Sequence, residues 1–288
     1  MPNRHALALL GLCVALSSYA SAEAEAPAAA EASLAAATAP VEAEAATLTG
    51  QDIYARVLEN RFRSFKQKST LNSGDRSGRV QETRVKLRFL NFRDVESQPS
   101  HGVLSKTIIQ YTHPFDLRHA GYLVIQNEGR ANDQFVYLPQ QRRTARINLR
   151  GEAVFGTDFS FEDIIPGELE NATYTRRDDE TLDEKRVYVV EALPVPEYES
   201  EYSKFIFYVD DEHFVPLRTR YWDQAGVEIK ELRASRNDIQ RFGEVSIAMK
   251  LTMRHLLLES HTTLEVQELE PEAKIPASSF EVRRLEAH

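Results

Sequence analysis

Cysteine is nearly missing from this chain: its one copy, Cys13, lies within the first 22 residues. Beyond them no thiol remains, which excludes disulfides, cysteine nucleophiles and cysteine metal sites there. A fold without such staples holds by burial alone, and more than 200 residues suffice for that. Long apolar runs are missing too. The longest, residues 6–16, falls short of the roughly 20 apolar residues that a membrane span needs. No HExxH, GxSxG, GxGxxG or P-loop pattern occurs, so metalloprotease, hydrolase, dinucleotide and nucleotide readings have no local support. Basic residues are outnumbered 35 to 44, for a formal net charge of −9. That mild acidic excess argues against wholesale nucleic-acid binding.

What is present begins with a secretory signal over residues 1–22. Arg4 is the basic start, residues 6–16 are the apolar middle, and Ala20, Ser21 and Ala22 form a small-residue cleavage site. Leu12 ahead of Cys13 is wrong for a lipoprotein box, so cleavage rather than lipid attachment is expected. Residues 23–47 are Ala, Glu and Pro with little else, and read as a flexible leader. The folded domain is expected over residues 48–288.

Thr49 and Asp52 make a capping box, and Ile53, Tyr54, Val57, Leu58, Phe62 and Phe65 follow at three- and four-residue steps. This spacing predicts a helix of about four turns with one apolar stripe. After Gly74 and Gly78 the period changes to two. Val85, Leu87 and Phe89 alternate with basic residues, and Val103, Ser105, Thr107, Ile109 and Tyr111 continue the pattern. Residues 121–163 read as strand, turn, strand, turn, strand, then a glycine-bounded loop carrying Phe155, Phe159 and Phe161. Strand patterns recur at 187–191, 202–209, 216–222 and 227–232, and residues 245–257 alternate as one unbroken strand. The sum is one helix and about ten strands, with a loop and short helix near Phe159 to Ile165. A strongly bent, up-and-down antiparallel sheet packed on a helix fits this order.

The residues that could carry chemistry form no catalytic or metal constellation. His113 and His119, like His255 and His261, are separated by five residues, a gap that matches no common zinc spacing. Asp178, Asp179 and Glu180, like Asp210, Asp211 and Glu212, read as loops between strands. No enzyme activity and no cofactor are expected. Arg142, Arg143, Arg146 and Arg150 form a basic cluster that suits anionic head groups or an acidic partner, or simply a solvated strand face.

Several blocks in order carry a family resemblance: His113-Pro114-Phe115-Asp116-Leu117-Arg118, Gly121-Tyr122-Leu123, Gln134-Phe135-Val136-Tyr137-Leu138-Pro139, the arginines at 142–146, and Gly156-Thr157-Asp158-Phe159-Ser160-Phe161-Glu162-Asp163. In these the chain resembles the LolA-like outer-membrane lipoprotein-sorting proteins of the Gram-negative periplasm. One departure is His119, where that family often has glycine after the Asp-Leu-Arg segment. The resemblance implies an open half-barrel wrapped round its helix and lid loop, with an apolar cavity for a lipid or lipoprotein acyl chain. It also implies a link, for some relatives, to inner-membrane exporters of the resistance-nodulation-division class. Strand alternation and the helix stripe then nominate Tyr54, Leu58, Phe62, Leu87, Phe89, Ile109, Tyr111, Leu123, Ile125, Phe135, Tyr137, Phe205 and Phe207 as the cavity wall. Phe155, Phe159 and Phe161 are the expected lid. The alternative is a non-transporting docking module of an envelope complex.

Overall fold

The N-terminal helix is shorter than its apolar stripe. In the computed structural model, which describes residues 48–93, 99–148 and 150–286, α1 runs over Gly50–Glu59. The capping box is formed: the Thr49 hydroxyl accepts from the Asp52 amide, and the Asp52 carboxylate accepts from the Thr49 amide at 2.9 Å. Asn60 ends the helix by tertiary contacts, donating to the His213 carbonyl and accepting from the Ser246 amide. Phe62 and Phe65 therefore leave the helix, against the four-turn expectation, and Phe65 belongs to the first strand. From Ser64 on, Lys66, Lys68 and Thr70 alternate with their neighbours at the strand period, which outweighs the helical spacing of two phenylalanines.

The strands in chain order are β1 (Ser64–Gly74), β2 (Val80–Asn91), β3 (Val103–His113), β4 (Gly121–Asn127), β5 (Asp133–Leu138), β6 (Arg143–Ile147), β7 (Ala172–Arg176) and β8 (Glu180–Leu182). They continue with β9 (Lys185–Pro194), β10 (Tyr202–Asp210), β11 (Pro216–Asp223), β12 (Glu228–Ala234), β13 (Ile239–Phe242), β14 (Val245–Ala248), β15 (Lys250–His255) and β16 (Ser260–Pro271). Fourteen of them form one sheet, in the order β6-β5-β4-β3-β2-β1-β16-β15-β12-β11-β10-β9-β7, with β8 also on β9. Every pairing is antiparallel. β6 and β7 are free edges, so the sheet curls without closing. Twist alone bends so wide a sheet, and register shifts at Lys68/Ser69, Arg84/Val85, Tyr208/Val209 and Tyr221/Trp222 add local bends.

The strand expected over residues 245–257 is broken at Met249. Its amide donates to the Asp238 carbonyl, and its own carbonyl accepts from Val266. β14 consequently pairs with β13 as a separate hairpin while β15 joins the main sheet. Alternating polarity runs straight through the break and carries no sign of it. The short helix expected near Ile165 is a run of turns, with a 3-10 helix only at Leu169–Asn171.

Parts of both faces of the sheet are covered, while the outer face of β1, β2 and β16 carries exposed Lys66, Lys68, Glu268 and Glu270. On the concave face Ile109, Tyr111, Tyr122, Val124 and Val136 pack against Val154, Phe159 and Phe161. On the convex face Ile108, Leu123 and Tyr137 lie beneath Phe280 and Leu285 of the C-terminal segment. Val187, Val189, Tyr208 and Leu217 pack against Ile239 of the β13–β14 hairpin. His119 has φ +74°, and its amide donates to the Tyr111 carbonyl. That is the left-handed backbone a glycine supplies, so the turn keeps its geometry despite the departure in sequence.

Gly50 opens α1 against the backbone of β7: a Cβ there would lie 2.6 Å from the Arg176 amide nitrogen and 2.7 Å from the Thr175 carbonyl carbon. In an open helix Gly→Ala stabilises by about 1 kcal/mol. Here the sign should reverse, with Gly50→Ala lowering the thermal midpoint because neither contact is a flexible side chain that can give way.

Candidate functional site

The site is built by residues 150–168, which cross the hollow of the sheet as a plug. Phe155 at φ +45° and Gly156 at φ +76° turn the chain back on itself, and Val154 and Phe159 close the turn by a backbone hydrogen bond of 2.8 Å. The turn drives its apolar side chains inwards. Phe161 meets Tyr122 at 5.0 Å between ring centroids, and Phe155 meets Tyr111 edge-on at 4.7 Å. Phe159 and Phe161 are therefore buried inside the hollow rather than held over its mouth, and Phe155 is half-buried.

Polar anchors fix the plug at both ends. At the tip, the Asp158 carboxylate accepts from the hydroxyls of Thr262 and Ser260 on β16, and its amide donates to Thr262 at 2.9 Å. At the base, the Glu162 carboxylate accepts from the Ser200 hydroxyl and from the Glu201 amide at 2.8 Å. Burial raises the Glu162 carboxyl above its ordinary range, against the lowering effect of these donors. Between the anchors sits a buried ion pair. Asp163 accepts from Lys230 of β12 at 3.1 Å, from the Tyr202 hydroxyl at 2.8 Å and from the Ser160 amide at 2.7 Å. Lys230 also donates to the Tyr202 oxygen at 3.1 Å. The Tyr202 phenol is pushed far up by burial first and by the neighbouring Asp163 second. A buried pair with every partner supplied is tolerated, but removing one member leaves a naked charge, at a cost of about 3–5 kcal/mol.

Of the hollows beside the plug, two have walls rich in aromatic side chains. The first, about 210 Å³, lies between α1, the plug and β9–β11, with Tyr54, Tyr174, Tyr202, Phe205, Phe207 and Tyr221 on its walls. Tyr54 stacks on Tyr174 at 4.3 Å and leans on Phe207 at 5.0 Å. The second, about 300 Å³, is more apolar. Phe62, Phe65, Leu87, Phe89 and Leu269 line it, with Ile164 and Pro166 from the plug and Ile247 from β14. Thr107 lies in its wall with a buried hydroxyl that has no hydrogen-bond partner. Among the described residues no group of three or more His, Cys, Asp or Glu is placed to hold a metal ion.

The nominated wall residues divide three ways. Tyr54, Phe205 and Phe207 line the first hollow; Phe62, Leu87 and Phe89 line the second. Ile109 and Tyr111 are core beneath the plug, and Leu58 is half-buried on α1 and lines neither hollow. Leu123, Ile125, Phe135 and Tyr137 are on the opposite face, under the C-terminal segment. The registers Ile109↔Tyr122 and Ile108↔Leu123 fix this, and make Tyr122, Val124 and Val136 the inward residues instead. β4 is apolar on both faces, so alternation gave no means of choosing between them. Of the arginine cluster, Arg142 and Arg143 are exposed at the β5–β6 turn, and Arg146, also exposed, is paired with Asp133. Arg150 donates to the carbonyls of Tyr198 and Glu199 at the root of the plug. Sequence reasoning missed Asp158, Glu162, Asp163 and Lys230. The signal for the first three was three carboxylates interleaved with phenylalanines in one loop; nothing marked Lys230.

A model of a family described only as uncharacterized protein matches residues 104–287. No curated protein matches the sequence. Among solved structures, a domain described as that of an outer membrane lipoprotein-sorting protein from Vibrio parahaemolyticus aligns with a TM-score of 0.74 at 20% identity, over 82% of this chain and 98% of that one. A DUF1329 family protein from Desulfovibrio piger aligns at 0.76 and 20% identity, over 82% and 97%. A LolA superfamily protein from Nitrosomonas europaea aligns at 0.64 and 16% identity, over 82% and 98%. Among the described residues no helix is long and apolar enough to cross a membrane. The chain thus belongs to the family of uncharacterized proteins whose model spans residues 104–287, and its open, curled sheet is the LolA-type fold of lipoprotein-sorting domains.

Proposed function

We propose that the protein is a periplasmic carrier that takes a lipid, or the acyl group of a lipoprotein, into the hollow of its sheet for transfer towards the outer membrane. The observation that carries this reading is the apolar hollow of about 300 Å³ beside the plug, with the orphaned Thr107 hydroxyl in its wall. An acyl chain would lie along Phe65, Leu87 and Phe89, and an ester or amide carbonyl would accept from Thr107. Such a wall, mainly apolar with a few polar side chains (Asn60, Arg61, Gln67 and Thr107), is the usual make-up of a small-molecule site. The signal sequence supports the compartment, and the likeness to a domain described as lipoprotein-sorting supports the ligand class. An exporter of the resistance-nodulation-division class as donor rests on the family resemblance alone; no residue described above selects it.

The hollow is at the small end of the roughly 300–1,000 Å³ common for ligand sites, so a long chain requires the plug to give way. The magnitudes allow it. An acyl chain gains about 0.8 kcal/mol per buried methylene. Withdrawing Val154, Phe159 and Phe161 forfeits about 1.5–3 kcal/mol each. A chain of around 16 carbons offers about 13 kcal/mol before the costs of association, enough to offset the three side chains and part of the plug's polar anchoring, so loading needs no covalent chemistry. One observation favours the second reading, a docking module: those three side chains already fill the hollow beneath them.

Mass spectrometry of organic extracts from the secreted protein separates the two. A carrier should yield lipid, Leu87→Asp should abolish it, and the exposed Lys250→Glu should leave it unchanged. Wild-type protein that emerges empty, or equal lipid in both variants, would leave only the docking module. Thr107→Val should stabilise the unliganded protein by about 1 kcal/mol in urea denaturation, because it removes a buried hydroxyl that lacks a partner. A loss of stability there would mean that the hydroxyl is satisfied and not held in reserve for a ligand.

A further inference from the structure

Because consecutive strands pair as hairpins, their connections alternate between the two rims of the curled sheet. The pairings Gly74↔Val80 and Gly74↔His261 put the β1–β2 and β15–β16 tips side by side. Arg84↔His113 adds the β3–β4 tip, and Gly121↔Tyr137 with Leu138↔Arg143 adds the β5–β6 tip. Lys230↔His255 and Tyr202↔Asp223 bring the β11–β12 and β9–β10 connections to the same rim.

Every large hydrophobic side chain exposed among the described residues is on this rim or next to it. Phe115 is 87% exposed in the β3–β4 tip, and Leu256, Leu257 and Leu258 stand in a row at the β15–β16 tip, the last two 61% and 62% exposed. Val80 opens β2 beside its tip, Val227 closes the β11–β12 turn, and Leu193 is next to the end of β9. The connections on the other rim, such as residues 128–132 and 211–213, present Glu128, Arg130, Asp211 and Glu212. A soluble surface scatters its apolar side chains; gathering them at the tips of adjacent hairpins marks an interaction surface.

Charge identifies the partner. Residues 75–79, 114–120, 139–143 and 256–259 carry the exposed Arg76, Arg79, Arg118, Arg142 and Arg143 against Asp75, Asp116 and Glu259. Asp75 is already taken by the amide and hydroxyl of Ser77. This part of the rim is thus net positive in a chain of net charge −9. Acidic residues Glu197, Glu199 and Glu201 collect at the far end, in the β9–β10 connection. Leucine and phenylalanine tips set among arginines match an anionic bilayer, in which apolar side chains enter the acyl boundary and guanidinium groups meet phosphates.

We propose that this rim docks on an anionic lipid surface, with Phe115 and Leu256–Leu258 entering the bilayer and the five arginines holding its head groups. The surface is distinct from the hollow and does not depend on what the hollow carries. The test is flotation of the secreted protein with vesicles of phosphatidylethanolamine and phosphatidylglycerol, against vesicles of phosphatidylcholine alone. Wild-type protein should float with the anionic vesicles and release as salt rises past physiological strength. The combined variant Phe115→Ser, Leu257→Ser, Leu258→Ser should bind roughly tenfold more weakly or worse. Its unfolding should match wild type, since these side chains are exposed. Arg142→Ala with Arg143→Ala should weaken binding to anionic vesicles and leave the weak binding to neutral ones unchanged. All variants share one N-terminal segment, so a difference between them belongs to the rim. Wild-type protein that stays off anionic vesicles, or triple and double variants that float as well as wild type, would overturn the proposal and leave the rim to a protein partner.

Discussion

A sheet of fourteen strands has two faces, and in this sequence both carry apolar side chains across β3, β4 and β5. Water has to be kept from each, and the chain meets that constraint with segments that are not strands. The convex side is closed by a C-terminal segment that sets Phe280 and Leu285 on Ile108 and Leu123. The concave side is closed by the plug. The two covers differ in kind. The outer is continuous with β16 and seats two fully buried side chains; the inner is a loop turned back on itself and tied down by carboxylates.

That difference gives the concave side its character. A cover made only of greasy side chains would pack into the sheet as ordinary core. Here, Asp158, Glu162 and Asp163 accept hydrogen bonds from β16, from Ser200 and Glu201 just before β10, and from Lys230 of β12. Directed bonds of this sort weaken steeply when their geometry is left, so they fix one position of the plug. The plug therefore has a defined seat. The residual hollows lie on either side of that seat, walled by aromatics from helix and sheet.

Much of this could be read from the amino acids. The capping box at Thr49 and Asp52, the meander from β4 to β6 and the mainly antiparallel, strongly bent sheet follow from spacing, because alternation and capping are local rules. Local rules failed where the deciding contact was distant. Asn60 ends α1 through His213 and Ser246, and Met249 splits a seemingly single strand by bonding to Asp238 and Val266. Parity failed for Leu123, Ile125, Phe135 and Tyr137 because their strands are apolar on both faces, and only pairing with β3 tells inside from outside. The aromatics of the plug were recognised as a group. Their depth was not, since a loop of phenylalanines looks alike whether it roofs a hollow or fills it.

The pairing of β1 with β16 has a consequence for how the molecule comes into being. The first and last strands of the chain are neighbours at the middle of the sheet. Until the final strand is made, the sheet is two separate halves, each with a raw edge where the other will join. Contacts so far apart in sequence close late and slowly. A chain made from its N-terminus would thus keep its two halves apart until β16 was made, and the segment after β16 would then cap the outer face.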